Sequence, residues 1–268
     1  VATEDPLASI STRAEVVNAV ENAREAVDRL RAHNILRRRK ADVAAESTLR
    51  AARASAALDG VVWTLEEVRA VDRRRRAGAP VVYGALRAAA GVNELGNAFQ
   101  RAPRQVFARL HALAAAGLVD DEDLGRPRHA DAVAADALDE LGPAPPAGMV
   151  GARLDALTEL LMTSEATPAA VLAAVVHGEV LAVRPFARAN GVVARAASRL
   201  VLRTRGLDPD GLTVPEVGHL EERVAYIDAA AGYLTGEPSD VGAWVVHCCD
   251  AIVLGAREGS AVCEALAR

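Results

Sequence analysis

Apolar residues recur along this chain at steps of three and four for most of its length. Over residues 12–31, Val16, Val17, Val20, Ala23, Val27 and Leu30 share one stripe, which predicts an amphipathic helix. A second helix is predicted over 36–58 and stopped at Asp59-Gly60, because glycine accepts the left-handed conformation that ends a helix. Thr64 with Glu67 three residues later forms a capping box for a short helix. Residues 81–98 and 103–116 are the next two, the latter with Pro103 in its first turn and Gly117 beyond its end. Residues 149–162 are amphipathic. Thr167-Pro168 then reads as cap and first position of a strongly apolar helix running through Val175, Val176 and Val180. Residues 190–205 read as a buried central helix closed by Gly206, and 216–234, 239–257 and 258–267 complete the helical set. Residues 1–11 look like a loose lead-in. The least regular part is 118–148, where Pro127, Gly142, Pro143, Pro145, Pro146 and Gly148 supply turns and 126–142 shows no clean alternating strand. There is no internal repeat.

Composition sharpens this into an all-α expectation. The 268 residues are 51% hydrophobic but only 3% aromatic, and much of the apolar content is alanine, which favours closely packed helices. A net charge of −5 argues against a nucleic-acid binder by overall charge. The basic clusters at 37–40 and 73–76 read as solvated helix faces, with phosphate contact as the alternative. Residues 102–119 have the outline of half a helix-turn-helix, yet Leu110, Leu113 and Ala116 make a core stripe; a DNA-binding regulator is the outlying reading. The acidic run 120–123 lacks the alternating ligands and glycine of a calcium loop and reads as a solvated turn. Cys248, Cys249 and Cys263 are odd in number and form no C-x-x-C, which excludes a zinc knuckle and a disulfide framework; the adjacent pair reads as core packing. No apolar run approaches the ~18–20 residues of a membrane span, and the opening residues lack a signal-like apolar stretch. The expectation is a cytoplasmic protein with no membrane partner.

The chemistry concentrates at 183–195, Val-Arg-Pro-Phe-Ala-Arg-Ala-Asn-Gly-Val-Val-Ala-Arg. A turn at Pro185-Phe186 leads through Asn190-Gly191 into a helix, and exposed N–H groups at a helix start make an anion site that a glycine lets a ligand approach. The stretch resembles the signature loop of the Fic (Fido) family, H-x-F-x-[DE]-G-N-G-R-x-x-R. Phe186, Asn190, Gly191 and Arg195 match it, and Pro185 stands where proline is common. Arg184 replaces the histidine, Arg188 the acidic residue, Ala189 the first glycine and Val192 the first arginine. Upstream, Ser55-Ala-Ala-Leu-Asp59-Gly60 resembles the family's inhibitory motif [ST]-x-x-x-E-[GN], with aspartate for glutamate. The likeness covers roughly 45–75 and 145–210.

The resemblance implies a Fic-like all-α core over 81–268 with an N-terminal helical extension, 1–80, carrying an inhibitory-type helix. It also implies AMP transfer from ATP to a protein hydroxyl: histidine as base, acid on Mg²⁺, helix start and arginines on the nucleotide. Two of these parts are missing. A guanidinium titrates above about 12, so Arg184 accepts no proton near neutrality, and loss of a general base commonly costs about 10²–10⁴-fold. Arg188 repels Mg²⁺ where a carboxylate would bind it, so no metal is expected there. What the resemblance leaves is a phosphate or nucleotide site at Asn190 and Gly191 with clamps at Arg184, Arg188 and Arg195, or a scaffold alone. Ser55, Asp59 and Gly60 would occlude it, with Asp59 pairing to Arg195. The expectation is an impaired Fic-like protein acting through ATP or another nucleotide, through an unidentified protein partner, or through self-association of its alanine-rich surface. The alternative is an active phosphate-group transferase with a base from elsewhere, such as His177. In the family, the region before the Pro-Pro stretch holds a β-hairpin flap, here expected to be missing, shortened or helical.

Overall fold

The computed structural model describes residues 5–70, 79–129, 132–136 and 139–268, and the chain in these parts is helical, with no strand. The basic run 73–76 lies outside the described residues. The N-terminal part folds as α1 (Ala8–Ser11), α2 (Ala14–Arg31), α3 (Leu36–Leu58) and α4 (Leu65–Arg69). Next come α5 (Ala79–Glu94), α6 (Gly96–Arg101) and α7 (Pro103–Ala115). After an irregular connection follow α8 (Val150–Thr163), α9 (Ala169–Val183), α10 (Asn190–Thr204), α11 (Pro215–Glu221), α12 (Arg223–Tyr233) and α13 (Pro238–Ala267).

The centre is the hairpin of α9 and α10. Almost every residue of α9 is buried, as expected of a helix that is apolar all round. α10 packs on α9 and is flanked by α3, α5, α6 and α7, while α13 lies across α2, α9, α11 and α12. One apolar cluster runs through all these layers, from Val16 on α2 and Ala52 on α3 to Phe107, Leu181, Val193 and Trp244. The resulting hairpin presents its connecting loop, 184–189, at one end of the bundle.

The local signals read from the sequence hold at several ends. Thr64 and Glu67 form the reciprocal capping box of α4. Gly60 takes φ 85°, and Val61 N–H reaches back to the Ala56 carbonyl at 2.9 Å, closing α3. Arg39 and Lys40 are exposed and paired with Asp42 and Asp210.

Four details differ, each for a tertiary reason. The predicted helix 81–98 divides at Leu95, which turns α6 so that Phe99 meets Phe107 edge-on at 5.9 Å. Thr167 does not cap α9; its hydroxyl donates to Asp5 Oδ1 at 2.5 Å, and Pro168 precedes the first turn. Residues 216–234 break at Glu222 (φ −102°, ψ 40°), beyond which Tyr226 points into the core. Residues 239–257 and 258–267 form one continuous helix, within which Gly259 is a close-approach site where a Cβ would sit 2.6 Å from the Leu212 carbonyl oxygen. α13 is thus long and apolar enough to cross a bilayer, with a mean hydropathy of 1.3 in its most apolar window, contrary to the expectation that no such run exists. Half of that window is buried inside the bundle, as in a core helix.

The packing of α11 on α13 depends on Gly255, whose Cβ would lie 2.5 Å from the Val214 carbonyl carbon and 2.6 Å from Pro215 N. Gly255→Ala is expected to cost about 1–3 kcal/mol through overpacking. Urea unfolding should show a lower midpoint at unchanged slope.

Candidate functional site

The loop between α9 and α10 is bounded by two non-glycine residues with left-handed backbone, Arg184 (φ 43°) and Ala189 (φ 63°). Such conformations cost roughly 1–3 kcal/mol each and persist where surroundings over-determine them. Asn190 supplies part of that constraint. Its Oδ1 accepts from Phe186 N–H at 2.9 Å and its Nδ2 donates to the Phe186 carbonyl at 2.8 Å, closing the loop on itself. Phe186 is buried and stacks on the His111 ring, centroids 4.0 Å apart and planes 2° from parallel. His111 in turn accepts from Gly125 N–H at 2.9 Å, and burial holds its pKa down at about 4.

The described residues of the stretch before α8 lie along this loop and form no strand. Arg128 N–H donates to the Pro185 carbonyl and Ala135 N–H to the Ala187 carbonyl, both at 2.8 Å. The buried Arg128 guanidinium gathers the carbonyls of Arg184 (2.6 Å), Val183 (3.0 Å) and Pro145 (2.6 Å), a cation at the C-terminal end of α9. Asp136 then reaches the start of α10. Its Oδ1 accepts from Asn190 N–H at 3.2 Å and its Oδ2 from Asn190 Nδ2. The anion position at the helix start is therefore filled by a carboxylate of the chain itself.

A second carboxylate approaches from α3. Asp59 ends that helix and accepts from Arg195 Nη2 at 2.5 Å. Arg195 also donates through Nε to Ser55 Oγ (2.9 Å), through Nη2 to the Ser55 carbonyl (3.0 Å) and through Nη1 to Tyr226 Oη (3.5 Å). Burial works against its charge, but Asp59 and Tyr226 outweigh it and hold the guanidinium firmly protonated. Gly191 makes room for this pair: a Cβ there would lie 2.6 Å from Asp59 Oδ1 and 3.1 Å from Arg195 Nη1.

The sequence-nominated residues therefore divide. Ser55, Asp59, Asn190, Gly191 and Arg195 come together, and Gly60 shapes the end of α3. Arg188 is exposed and lines, with Asp59, Asp136, Ala189 and Val192, a cavity of about 100 Å³. Arg184 is turned away: it is buried and donates through Nη1 to the Gly142 carbonyl at 2.8 Å. His177 is buried behind α10, its Nε2 3.0 Å from Tyr226 Oη, and does not line the cavity. Arg128 and Asp136 were not singled out from sequence, because the segment that carries them has no periodicity to read. α7 packs on α5, α8 and α10 with Phe107, Leu110 and Ala114 buried, so that face is core.

The residues do not fit Mg²⁺ in the manner the resemblance implies. Arg188 stands at the cavity wall, and the Asp136 and Asp59 carboxylates are taken by Asn190 and Arg195. Nor does the cavity fit a nucleotide, since small-molecule sites usually offer about 300–1,000 Å³.

No family model matches the chain, and no curated protein matches it. Solved structures do. A Fic family protein from Desulfovibrio desulfuricans superposes with a TM-score of 0.74 at 23% identity, over 93% of this chain and 75% of that one. Fic-1 from C. elegans gives 0.70 at 17%, over 94% and 73%. A Fic domain containing signaling protein from Bacteroides thetaiotaomicron gives 0.68 at 13%, over 92% and 98%. At these identities the likeness is one of fold, and this chain has the all-helical Fic fold.

Asp136 offers a direct check on the site. Burial raises its pKa to about 6; the Asn190 hydrogen bonds pull it down and the Asp59 charge pushes it up. A carbon-detected NMR titration of this carboxyl should find that value. Asp59→Asn should lower it, and Asn190→Ala should raise it. The folded chain holds this proton more tightly than the unfolded one, whose aspartates titrate near ~3.9. Stability from Asp136 is therefore present at low pH and lost as pH rises from about 4 through about 6, a slope that Asp136→Asn should remove.

Proposed function

We propose that this chain is a Fic-fold protein without the family's AMP-transfer chemistry, which keeps a phosphate site in a closed state and acts through binding. The observation that carries the reading is the convergence of Asp136 and Asp59 on the start of α10, where they take the N–H and guanidinium groups that a phosphate tail would use. The donors of an anion site persist, and the chain's own acids occupy them. Arg184 supports the loss of transfer, because a buried guanidinium hydrogen-bonded to a carbonyl accepts no proton from a target hydroxyl. Phosphate or nucleotide enters once both acids swing away, with Arg188 and Arg195 as its cations and without need of Mg²⁺.

One observation favours an active transferase instead. Asp136 is a carboxyl at the loop whose pKa lies near 6, closer to the range of a general base than an ordinary aspartate. In that reading it would leave Asn190 to take a proton from the hydroxyl.

Calorimetric titration of ATP, with and without Mg²⁺, into wild type, Asp59→Ala and Asp59→Ala/Asp136→Ala protein tests the proposal, with circular dichroism confirming the fold. Wild type should give no heat, and the double variant should bind at micromolar Kd, about 8 kcal/mol, with or without Mg²⁺. Absence of binding in the folded double variant would leave the fold as scaffold only. Labelled AMP appearing on protein, and lost in Asp136→Asn, would favour the transferase.

A further inference from the structure

Apart from the residues that line the cavity, three helices bring metal-ligating side chains into one buried cluster. His177 comes from α9, His219 from α11 and Cys248 from α13, and a ligand atom from each lies within 4.8 Å of the other two. All three are nearly inaccessible, with 1%, 4% and 5% of their surface exposed. We infer that His177, His219 and Cys248 form a binding site for a zinc-type transition-metal ion.

Geometry and chemistry both support it. Three atoms mutually within 4.8 Å share a point no more than about 2.8 Å from each, and Zn–N and Zn–S bonds are about 2.0–2.3 Å. Side-chain shifts of under about 1 Å close the site. Each imidazole has one ring nitrogen in a hydrogen bond, the kind of contact that commonly orients a ligating histidine. His177 Nε2 meets Tyr226 Oη at 3.0 Å, and His219 Nδ1 meets His247 Nε2 at 3.1 Å. His177 Nδ1 is buried with no hydrogen-bond partner, a cost that a metal bond would remove.

Thiolate and charge enter next. Binding through Cys248 would form an S–metal bond and release the thiol proton to solvent. The nearby positive charge is Arg195, which opposes a cation, but its charge is already met by Asp59. The ion would gain one negative charge from Cys248. Two imidazoles and a thiolate suit zinc better than calcium or magnesium, which prefer oxygen. His247 is half-buried and precedes Cys248 on α13, and the three side chains leave the fourth position of a tetrahedral ion to a water.

Purified protein should carry about one zinc per chain by elemental analysis, and metal-free protein should take up Zn²⁺ at that ratio with a raised Tm. Co²⁺ in place of Zn²⁺ should give thiolate-to-cobalt charge-transfer absorption in the near ultraviolet. Cys248→Ser should abolish that band and weaken Zn²⁺ binding by at least about tenfold, while Cys263→Ser, remote in the chain, should retain both. Metal-free wild type that shows no cobalt band and no Tm response to Zn²⁺ would overturn the inference. So would a band that survives in Cys248→Ser. The wild-type titration decides even if the serine variant does not fold.

Discussion

The structure depends on keeping Arg195, the most deeply buried of its arginines among the described residues, charged inside an apolar bundle. Removing an ion of this kind from water costs several kcal/mol, and only good geometry repays it. Arg195 has that geometry: Ser55 on α3 gives it a hydroxyl and a carbonyl, Asp59 a carboxylate and Tyr226 on α12 a phenol oxygen. Those partners come from separate helices, so the same contacts that keep the charge tie α3 and α12 to α10. Gly191 permits the approach, because a side chain there would collide with both members of the ion pair.

The loop that precedes α10 is held by a different kind of constraint. Two left-handed residues bend the chain, and neither is glycine. Their conformations are tolerated because Phe186 is pinned in the core, Asn190 bonds the loop to itself, and Arg128 and Asp136 brace it from the preceding segment. Ala189, standing where the resembling motif has glycine, still adopts φ 63°. An alanine held in this conformation speaks for the strength of the surrounding contacts.

Closure and buried chemistry meet at Tyr226. Its phenol oxygen faces Arg195 on one side and His177 on the other, so the ion pair at the cavity and the histidine-cysteine cluster share one hydrogen-bonded residue. Burial drives the Tyr226 pKa up to about 12, which keeps its proton in place at neutral pH. The phenol is therefore a fixed bridge, and any rearrangement of the imidazoles would be felt at Arg195 through position.

Much of the helical frame was legible from periodicity, and the ends of α3, α4 and α7 from Gly60, the Thr64–Glu67 box and Pro103. The pairing of Asp59 with Arg195 was also legible, though only through two short motifs set side by side. The errors share a cause: the division of 239–257 from 258–267 and the Thr167 cap were read from residue type, which shows a local preference and not the neighbour across the interface. Whether glycine breaks a helix or lets Leu212 approach depends on what lies across the interface. Asp136 and Arg128 are the sharpest case. Nothing in their own irregular stretch marks them, and their partners lie more than fifty residues away. By itself the sequence determined which segments are helices and that Arg184 and Arg188 stand where the resembling motif has a histidine and an acid, since backbone preference and residue type are local properties. That Asp136 and Asp59 meet Asn190 and Arg195, and that two histidines and a cysteine come together, was decided by tertiary packing alone, because only the folded chain sets distances between residues far apart in sequence.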